Sequence, residues 1–493
     1  MIDSRITERM LITNPFQRNI FRSSICRLQS PPWNPQAPEN PLNTSSLDTP
    51  RMADDDDDPW GAFGSDDEDD SPTTLDVWIV AKLKQSNPRV QRRYVRGSLP
   101  SGLLVEHADD DGYCDVYVGD CLTQEAVQWV LPGGLLVLRE EDAAVSEEEW
   151  IREDSSGVDG WNVWTRSPCG IQSQTCPWLP SSHSLEAEVE RLRRGVICPS
   201  AEEIREGRLN SYSISYAVRA MQAHGFCILR RWLPTEPLIE WGQAALNDVH
   251  LAAEHLRRHG TDLYHPHQST REPDSYRELS MREDLRLDIR DGPHVRRLRG
   301  PAVRVPLSEA DDVLRGNASV QQILRDTMTP NDDYRRAGNW GRHNFGGVPD
   351  ISVGPVGEIV SLPNSADQAL HADTPHLWDH IPDLPAHYIN VFAIACGTAA
   401  GQTAVVPGSH NLDVTADWER QGIASPLADK VVRPALQVGD VLLFDCRILH
   451  FGLANGTEEE RAILYTNVTL PWFHDPKNWD DRKTIFEEGD YDL

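Results

Sequence analysis

The 493-residue sequence is poor in basic residues: 47 Lys and Arg stand against 77 Asp and Glu, a formal net charge of −30. Binding to duplex nucleic acid needs a basic face for the phosphates, so the balance argues against that partner and against an acidic one. Long apolar runs are also missing. Stretches such as "WVLPGGLLVL", residues 129–138, fall far short of the ~20 residues that a membrane-spanning helix requires, and the chain reads as soluble. The nine cysteines (26, 114, 121, 169, 176, 198, 227, 396 and 446) are odd in number and never form a CxxC pair. That removes a zinc ribbon or a disulfide framework and fits a reducing compartment. No glycine-rich nucleotide loop precedes "LPGGLLVL", so its faint likeness to a methyltransferase strand implies no such activity.

The length implies more than one unit. Residues 1–73 read as a disordered leader and acidic segment. Residues 1–51 are arginine- and serine-bearing with few acids, compatible with a mitochondrial transit peptide or with a start at Met52. "DDDDDPWGAFGSDDEDD", residues 54–70, repels itself and does not fold alone, while Trp60 and Phe63 within it suit a protein-docking motif. Residues 74–165 carry strand-like runs ("LDVWIVAKL", "GLLVEH", "CDVYVGD", "GGLLVLRE") expected to form a small α/β or β module. Residues 166–209 read as a linker with a helical segment, 210–475 as the main domain, and 476–493 as an acidic tail. The chain ends in Tyr-Asp-Leu and not a Ser-Lys-Leu peroxisomal address, and a cytoplasmic location is expected, with a mitochondrial one open.

Within the main domain, Leu238, Gly242, Ala245, Val249, Ala252 and Leu256 keep a three-four spacing that predicts a helix with one buried stripe, capped at Thr235. The stretch 257–350 reads as long excursions around a site. Inside it, "RELSMREDLRLDIR", residues 277–290, suits either a contact to an anionic substrate or a solvated helix, because its acids balance its arginines. After residue 355 come "GEIVSL", "YINVFAIAC", "TAVVPGS", "DVLLFD" and "RAILYTNVTL", separated by turns at Pro407-Gly408, Gly439-Asp440 and Asn455-Gly456. This is the pattern of an antiparallel sandwich or barrel, whose inward side chains converge at one mouth.

"ALHADTPHLW" places His371 and Asp373 two apart, a spacing that aims both side chains to one side of an extended strand. His450, in "LLFDCRILHFG", supplies a third donor from a second strand. Two imidazoles and a carboxylate bind one face of an octahedral ferrous ion and leave positions open for oxygen chemistry. A dicarboxylate cosubstrate chelating there needs a cation for its far end, and Arg461, eleven residues past His450 beyond the Asn455-Gly456 turn, returns beside the metal if the two strands form a hairpin. Taken singly, an HxD pair is weak and a lone histidine or arginine is more often a surface or core residue; the ordered combination carries the reading.

These motifs ("LHADTPH", "GQTAVVPGSH", "GDVLLFDCRILHFGLANGT", "RAILY") resemble the phytanoyl-CoA dioxygenase family of iron(II)/2-oxoglutarate-dependent oxygenases, and "AVRAMQAHGFCILRRWLP", residues 217–234, is similar to the family's opening helix and strand. The resemblance spans about residues 210–473. It implies an α+β fold with a double-stranded β-helix (jelly-roll) core and flanking helices. It also implies iron(II) on His371, Asp373 and His450, and 2-oxoglutarate held by Arg461 with Asn390 nearby. Oxygen is the remaining cosubstrate, a small molecule the substrate, and succinate and carbon dioxide the products. Family members that halogenate replace the carboxylate by a small residue, so Asp373 implies hydroxylation or a related oxidation. Ser409 and His410 are expected to shape a turn beside the site, and His376, Trp378 and His380 to line the pocket. Arg342 and His343 are expected to reach the substrate from a glycine-rich loop. Ala400, where the family commonly has a polar residue, is a departure. The competing expectations are a catalytically silent barrel that binds a ligand and an interaction protein that uses the barrel as a scaffold.

Overall fold

The computed structural model describes residues 79, 94–96, 106–107, 114–119, 129–139, 150–153, 160–166, 169–172, 179–180, 182–270, 275–283, 285–290, 314, 316–329, 350–378, 384–396, 402–421, 427–474 and 483–485. The acidic segment with Trp60 and Phe63, the Met52 question, His380, Ala400, Arg342, His343 and nearly all of the C-terminal tail lie outside them. The chain divides at residue 70 into two units, and every described residue belongs to the second. Among the described residues no helix is long and apolar enough to cross a membrane.

The first sheet is built from β1 (Tyr94–Arg96), β2 (Glu106–His107), β3 (Cys114–Gly119), β4 (Val130–Leu138), β5 (Trp150–Arg152) and β6 (Asn162–Arg166), in the order β2-β1-β3-β4-β6-β5. Its pairs are parallel from β2 to β4 and antiparallel beyond. β4 is buried along its whole length, which explains why "VLPGGLLVL" shows no alternation. The strand expected at 75–83 has its described residue, Ile79, in a helix. Periodicity alone does not separate a short apolar run into strand or buried helix.

The remaining elements follow in chain order: β7 (Gly170–Ile171), α1 (Leu185–Arg193), β8 (Val196–Ile197), α2 (Ala201–Glu206), α3 (Ser211–His224), β9 (Phe226–Leu229), α4 (Thr235–Arg258), β10 (Ser280–Glu283), β11 (Arg286–Arg290), α5 (Ala318–Met328), β12 (Ser352–Val353), β13 (Gly357–Ser361), β14 (Tyr388–Cys396), β15 (Thr403–Val405), α6 (Leu412–Gln421), β16 (Pro434–Ala435), β17 (Val441–Asp445), β18 (His450–Gly452) and β19 (Arg461–Thr469). A nine-stranded sheet runs β10-β11-β13-β19-β14-β17-β9-β8, with β12 on β19; β15 pairs with β18, and β16 with β7. Residues 166–209 therefore contribute strands to the main domain: β7 joins β16, and β8 lies parallel to β9.

Strand periodicity sorts this sheet into two faces. On one face Ile389, Val391, Ala393, Ala395, Val441, Leu443 and Leu464 pack against Leu238 and Trp241 of α4 and Val320, Ile323 and Leu324 of α5. On the other, Asn390, Phe392, Arg461, Ile463, Tyr465 and Asn467 line a pocket. Each fully buried Leu, Ile or Val contributes roughly 1.5–3 kcal/mol, so the helix-covered face anchors the sheet that carries the pocket.

Three local expectations need correction. α4 has the expected stripe, with Leu238, Gly242, Ala245, Val249, Ala252 and Leu256 all buried, but its N-cap is Pro234 and no side chain caps it. Proline fixes an extended entry there, and Thr235 falls in the first turn. Residues 277–290 include the antiparallel pair β10–β11 and, among the described residues, form no helix: Leu287 and Ile289 are buried beside Val360, while Arg286 and Asp288 take the other face. Finally, β18 and β19 do not form a hairpin; β18 pairs with β15 and β19 with β13 and β14. Asn455, fully buried, makes this crossing by donating to Ser361 O at 3.1 Å and Glu459 O at 2.8 Å.

Candidate active site

His371 and His450 form an isolated antiparallel bridge. His371 N donates to His450 O at 3.0 Å and His450 N to His371 O at 2.8 Å, so their side chains stand side by side with ring centroids 4.5 Å apart. Asp373 follows with the same facing, held by its own amide to Cys446 O at 2.9 Å. Its Oδ2 lies 3.6 Å from His450 Nε2, and the ligating atoms of His371, Asp373 and His450 all fall within 4.8 Å of one another.

The surroundings suit these groups to a metal. Nδ1 of His371 donates to Ala369 O at 2.8 Å, and Nδ1 of His450 to Ile448 O at 3.0 Å. A carbonyl only accepts, so both rings carry their proton on Nδ1 and present the Nε2 lone pair to the site. Burial, reinforced by the neighbouring His450, lowers the His371 pKa to about 4 against the pull of Asp373, so the imidazole is neutral near pH 7, as a ligand must be. Asn390 Nδ2 donates to Asp373 Oδ2 at 2.7 Å and turns the carboxylate toward the histidines.

Two loops hold the His450 end. Arg447 grips Asp445 with Nε to Oδ1 at 2.9 Å and Nη2 to Oδ2 at 2.6 Å, both groups buried. Ser409 Oγ accepts from Leu449 N and donates to Val406 O, both at 2.7 Å, so the PGSH turn is tied to the residue before His450. His410 instead donates from Nε2 to Gln222 O on α3 at 3.0 Å, its pKa lowered chiefly by burial. His376 is not among the pocket-lining residues; burial and then Arg447 bring its pKa down to about 4. Trp378 is 39% exposed and also lies off the lining.

One pocket brings His371, Asp373, His450, Asn390 and Arg461 to a common lining. Arg461, 2% exposed, donates from Nη2 to Ser361 Oγ at 2.7 Å. Arg286 donates from Nε to the same hydroxyl at 3.1 Å and from Nη2 to Leu453 O at 2.9 Å. Register explains the pairing, since Ser361 on β13 faces Arg286 on β11 and Arg461 on β19. Gly452 leaves room for this arrangement; a Cβ there would lie 2.7 Å from Gln368 Oε1 and 2.9 Å from Arg286 Cζ. Sequence reasoning gave Ser361 and Gln368 no role, and took Arg282 and Arg286 only as part of the 277–290 cluster that suits either an anionic substrate or a solvated helix. The alternation in "RLDIR", residues 286–290, was the available signal for Arg286.

Two imidazoles and a carboxylate at one corner of a strand-built pocket are the donor set of mononuclear ferrous oxygenases. The segment that carries the corner, residues 357–463, matches the family model described as Phytanoyl-CoA dioxygenase (PhyH). The match covers 107 of the 493 residues and includes the two histidines, the aspartate and Arg461. Several solved structures are also similar. AviO1 from Streptomyces viridochromogenes Tue57 is 16% identical, with 53% of this chain and 96% of that one covered and a TM-score of 0.28. SnoK, described as a non-heme alpha ketoglutarate dependent carbocyclase from nogalamycin biosynthesis, is 17% identical over 53% and 84%, TM-score 0.31. HygX from Streptomyces hygroscopicus, described with nickel and 2-oxoglutarate bound, is 13% identical over 52% and 87%, TM-score 0.30. These likenesses are too loose to bear on function; the family match and the site geometry carry the class.

Proposed function

We propose that residues 210–475 form an iron(II)/2-oxoglutarate-dependent dioxygenase domain with a double-stranded β-helix core, acting on a small molecule. The carrying observation is the convergence of His371, Asp373 and His450 within 4.8 Å on a pocket that Arg461 also lines. Bound there, ferrous iron with 2-oxoglutarate and oxygen supplies oxidation coupled to release of succinate and carbon dioxide.

The chain's own residues do the positioning. His371, Asp373 and His450 hold the metal by one face, and Asn390 fixes the carboxylate. Arg461 offers its fork to the distal carboxylate of 2-oxoglutarate, with Arg286 beside it on the same serine. Phe392, Ile359 and Ile463 make the apolar part of the lining, which keeps water from the reacting centre. Asp373, as a carboxylate, supports hydroxylation over halogenation.

The test is aerobic incubation of the protein with ferrous ion and labelled 2-oxoglutarate. Slow succinate release without added substrate, lost in folded His371→Ala, is the expected result. No conversion across a metabolite screen would favour a barrel that only binds.

A further inference from the structure

β10 and β11 place a second charged assembly on the pocket wall. Arg282 contacts one oxygen of Asp288 twice, from Nε at 2.7 Å and Nη2 at 2.5 Å. Tyr465 OH donates to the other oxygen at 2.8 Å. Asp288 is fully buried, and Tyr465 and Arg282 themselves line the pocket. Asp288 thus has both oxygens occupied by groups that fix it, and it in turn orients the guanidinium. An arginine carries five N–H donors. Two are spent on Asp288, the partner of Arg282 among the described residues, and the side chain, 28% exposed, lines the pocket. Arg282 shares the pocket lining with Asp373 and His371.

Charge separates its role from that of the other arginines. Arg461 and Arg286 share Ser361 and stand together where the distal carboxylate would sit. A ferrous ion and a 2-oxoglutarate dianion cancel. Three guanidiniums on the lining then face the carboxylates of Asp373 and Asp288, which leaves one positive charge in a chain whose net charge is −30. A water-poor pocket with one excess cation favours an anionic ligand.

We propose that Arg282 anchors the substrate, and that the substrate carries a carboxylate, whose planar oxygen pair fits the remaining edge of the guanidinium. This rests on the oxygenase reading. Asp288 and Tyr465 act as positioning residues, holding Arg282 so that a carbon near the bound carboxylate is presented to the metal.

The experiment uses the full chain loaded with nickel in place of iron and saturated with 2-oxoglutarate. Binding of 3-phenylpropanoate, cyclohexanecarboxylate and hexanoate is measured calorimetrically, each against its primary amide. At least one acid is expected to bind about 10–100-fold more tightly than its amide, the range for a hydrogen bond to a charged group. Arg282→Gln should erase that preference by weakening the acid and sparing the amide, while Arg282→Lys, which keeps the charge but loses the fork, should retain part of it. Acids bound no better than amides by the wild type, or a preference that survives Arg282→Gln, would overturn the proposal; the wild-type comparison stands even where the variant fails to fold. Succinate release by the wild type reads the oxygenase assignment separately. Acid selectivity without turnover would keep the anchor and sink the oxygenase, and turnover without selectivity would do the reverse.

Discussion

Replacing Asn390 by alanine tests whether the metal corner depends on its supporting hydrogen bond. Asn390 is 3% exposed and donates to Asp373 Oδ2 at 2.7 Å; a carboxylate only accepts, so the amide nitrogen must be the group facing it. A hydrogen bond to a charged acceptor is worth about 1.5–3 kcal/mol, and Asp373 is not fully sealed from water. Taking ~2 kcal/mol gives about a 30-fold rise in metal Kd, inside the range seen when a ligand's supporting partner is lost. The assay is anaerobic competition between the protein and a chromophoric chelator for ferrous or nickel ion, with thermal melting as the folding control. Asn390→Ala should fold and bind metal about 30-fold more weakly. A folded variant with wild-type metal affinity would refute the argument that this contact aims the carboxylate.

Two further outcomes follow from buried charge. His387 is 1% exposed, and burial, then Arg447, lowers its pKa to about 4. The folded state keeps this ring neutral while the unfolded chain takes up a proton below about pH 6.5. Stability is therefore full above that pH, falls as pH drops, and is lost through about pH 4, by as much as ~3 kcal/mol from this group. Urea denaturation at stepped pH should show His387→Phe with a flatter acid limb than the wild type; parallel limbs would exclude the contribution. Glu188, fully buried on α1, accepts from Arg433 Nη2 at 2.8 Å, Arg433 Nε at 3.1 Å and His183 Nε2 at 2.6 Å. Arg433→Met leaves that carboxylate short of a partner and should cost about 3 kcal/mol in denaturant unfolding; a loss under about 1 kcal/mol would place the pair in the weak class of exposed ion pairs.

Much of the C-terminal half was legible because period-two alternation and turn chemistry agree there. "YINVFAIAC" reads as a strand, and its alternate residues divide between the α4–α5 face and the pocket. Gly408 and Gly439 take positive φ, 81° and 96°, at turns that the sequence marks. The HxD spacing and His450 were readable because the ligands sit on extended segments, where spacing fixes facing. Arg461 reaches the pocket as expected from sequence, but by a crossing between sheets instead of a hairpin, since pairing partners are a long-range property that a turn signal does not encode. Arg282 and Arg286 stayed between two readings, an anionic contact or a solvated helix, because alternating charges suit both a solvated helix and a strand that buries one face. Which of these holds is decided by β13, about seventy residues further along the chain.

The most direct measurement is equilibrium binding of ferrous ion to the full chain under anaerobic conditions, compared with His450→Ala. One high-affinity ion per chain, lost in a folded His450→Ala variant, is the result required by a metal held jointly from His371, Asp373 and His450. Undiminished binding in that variant would contradict it.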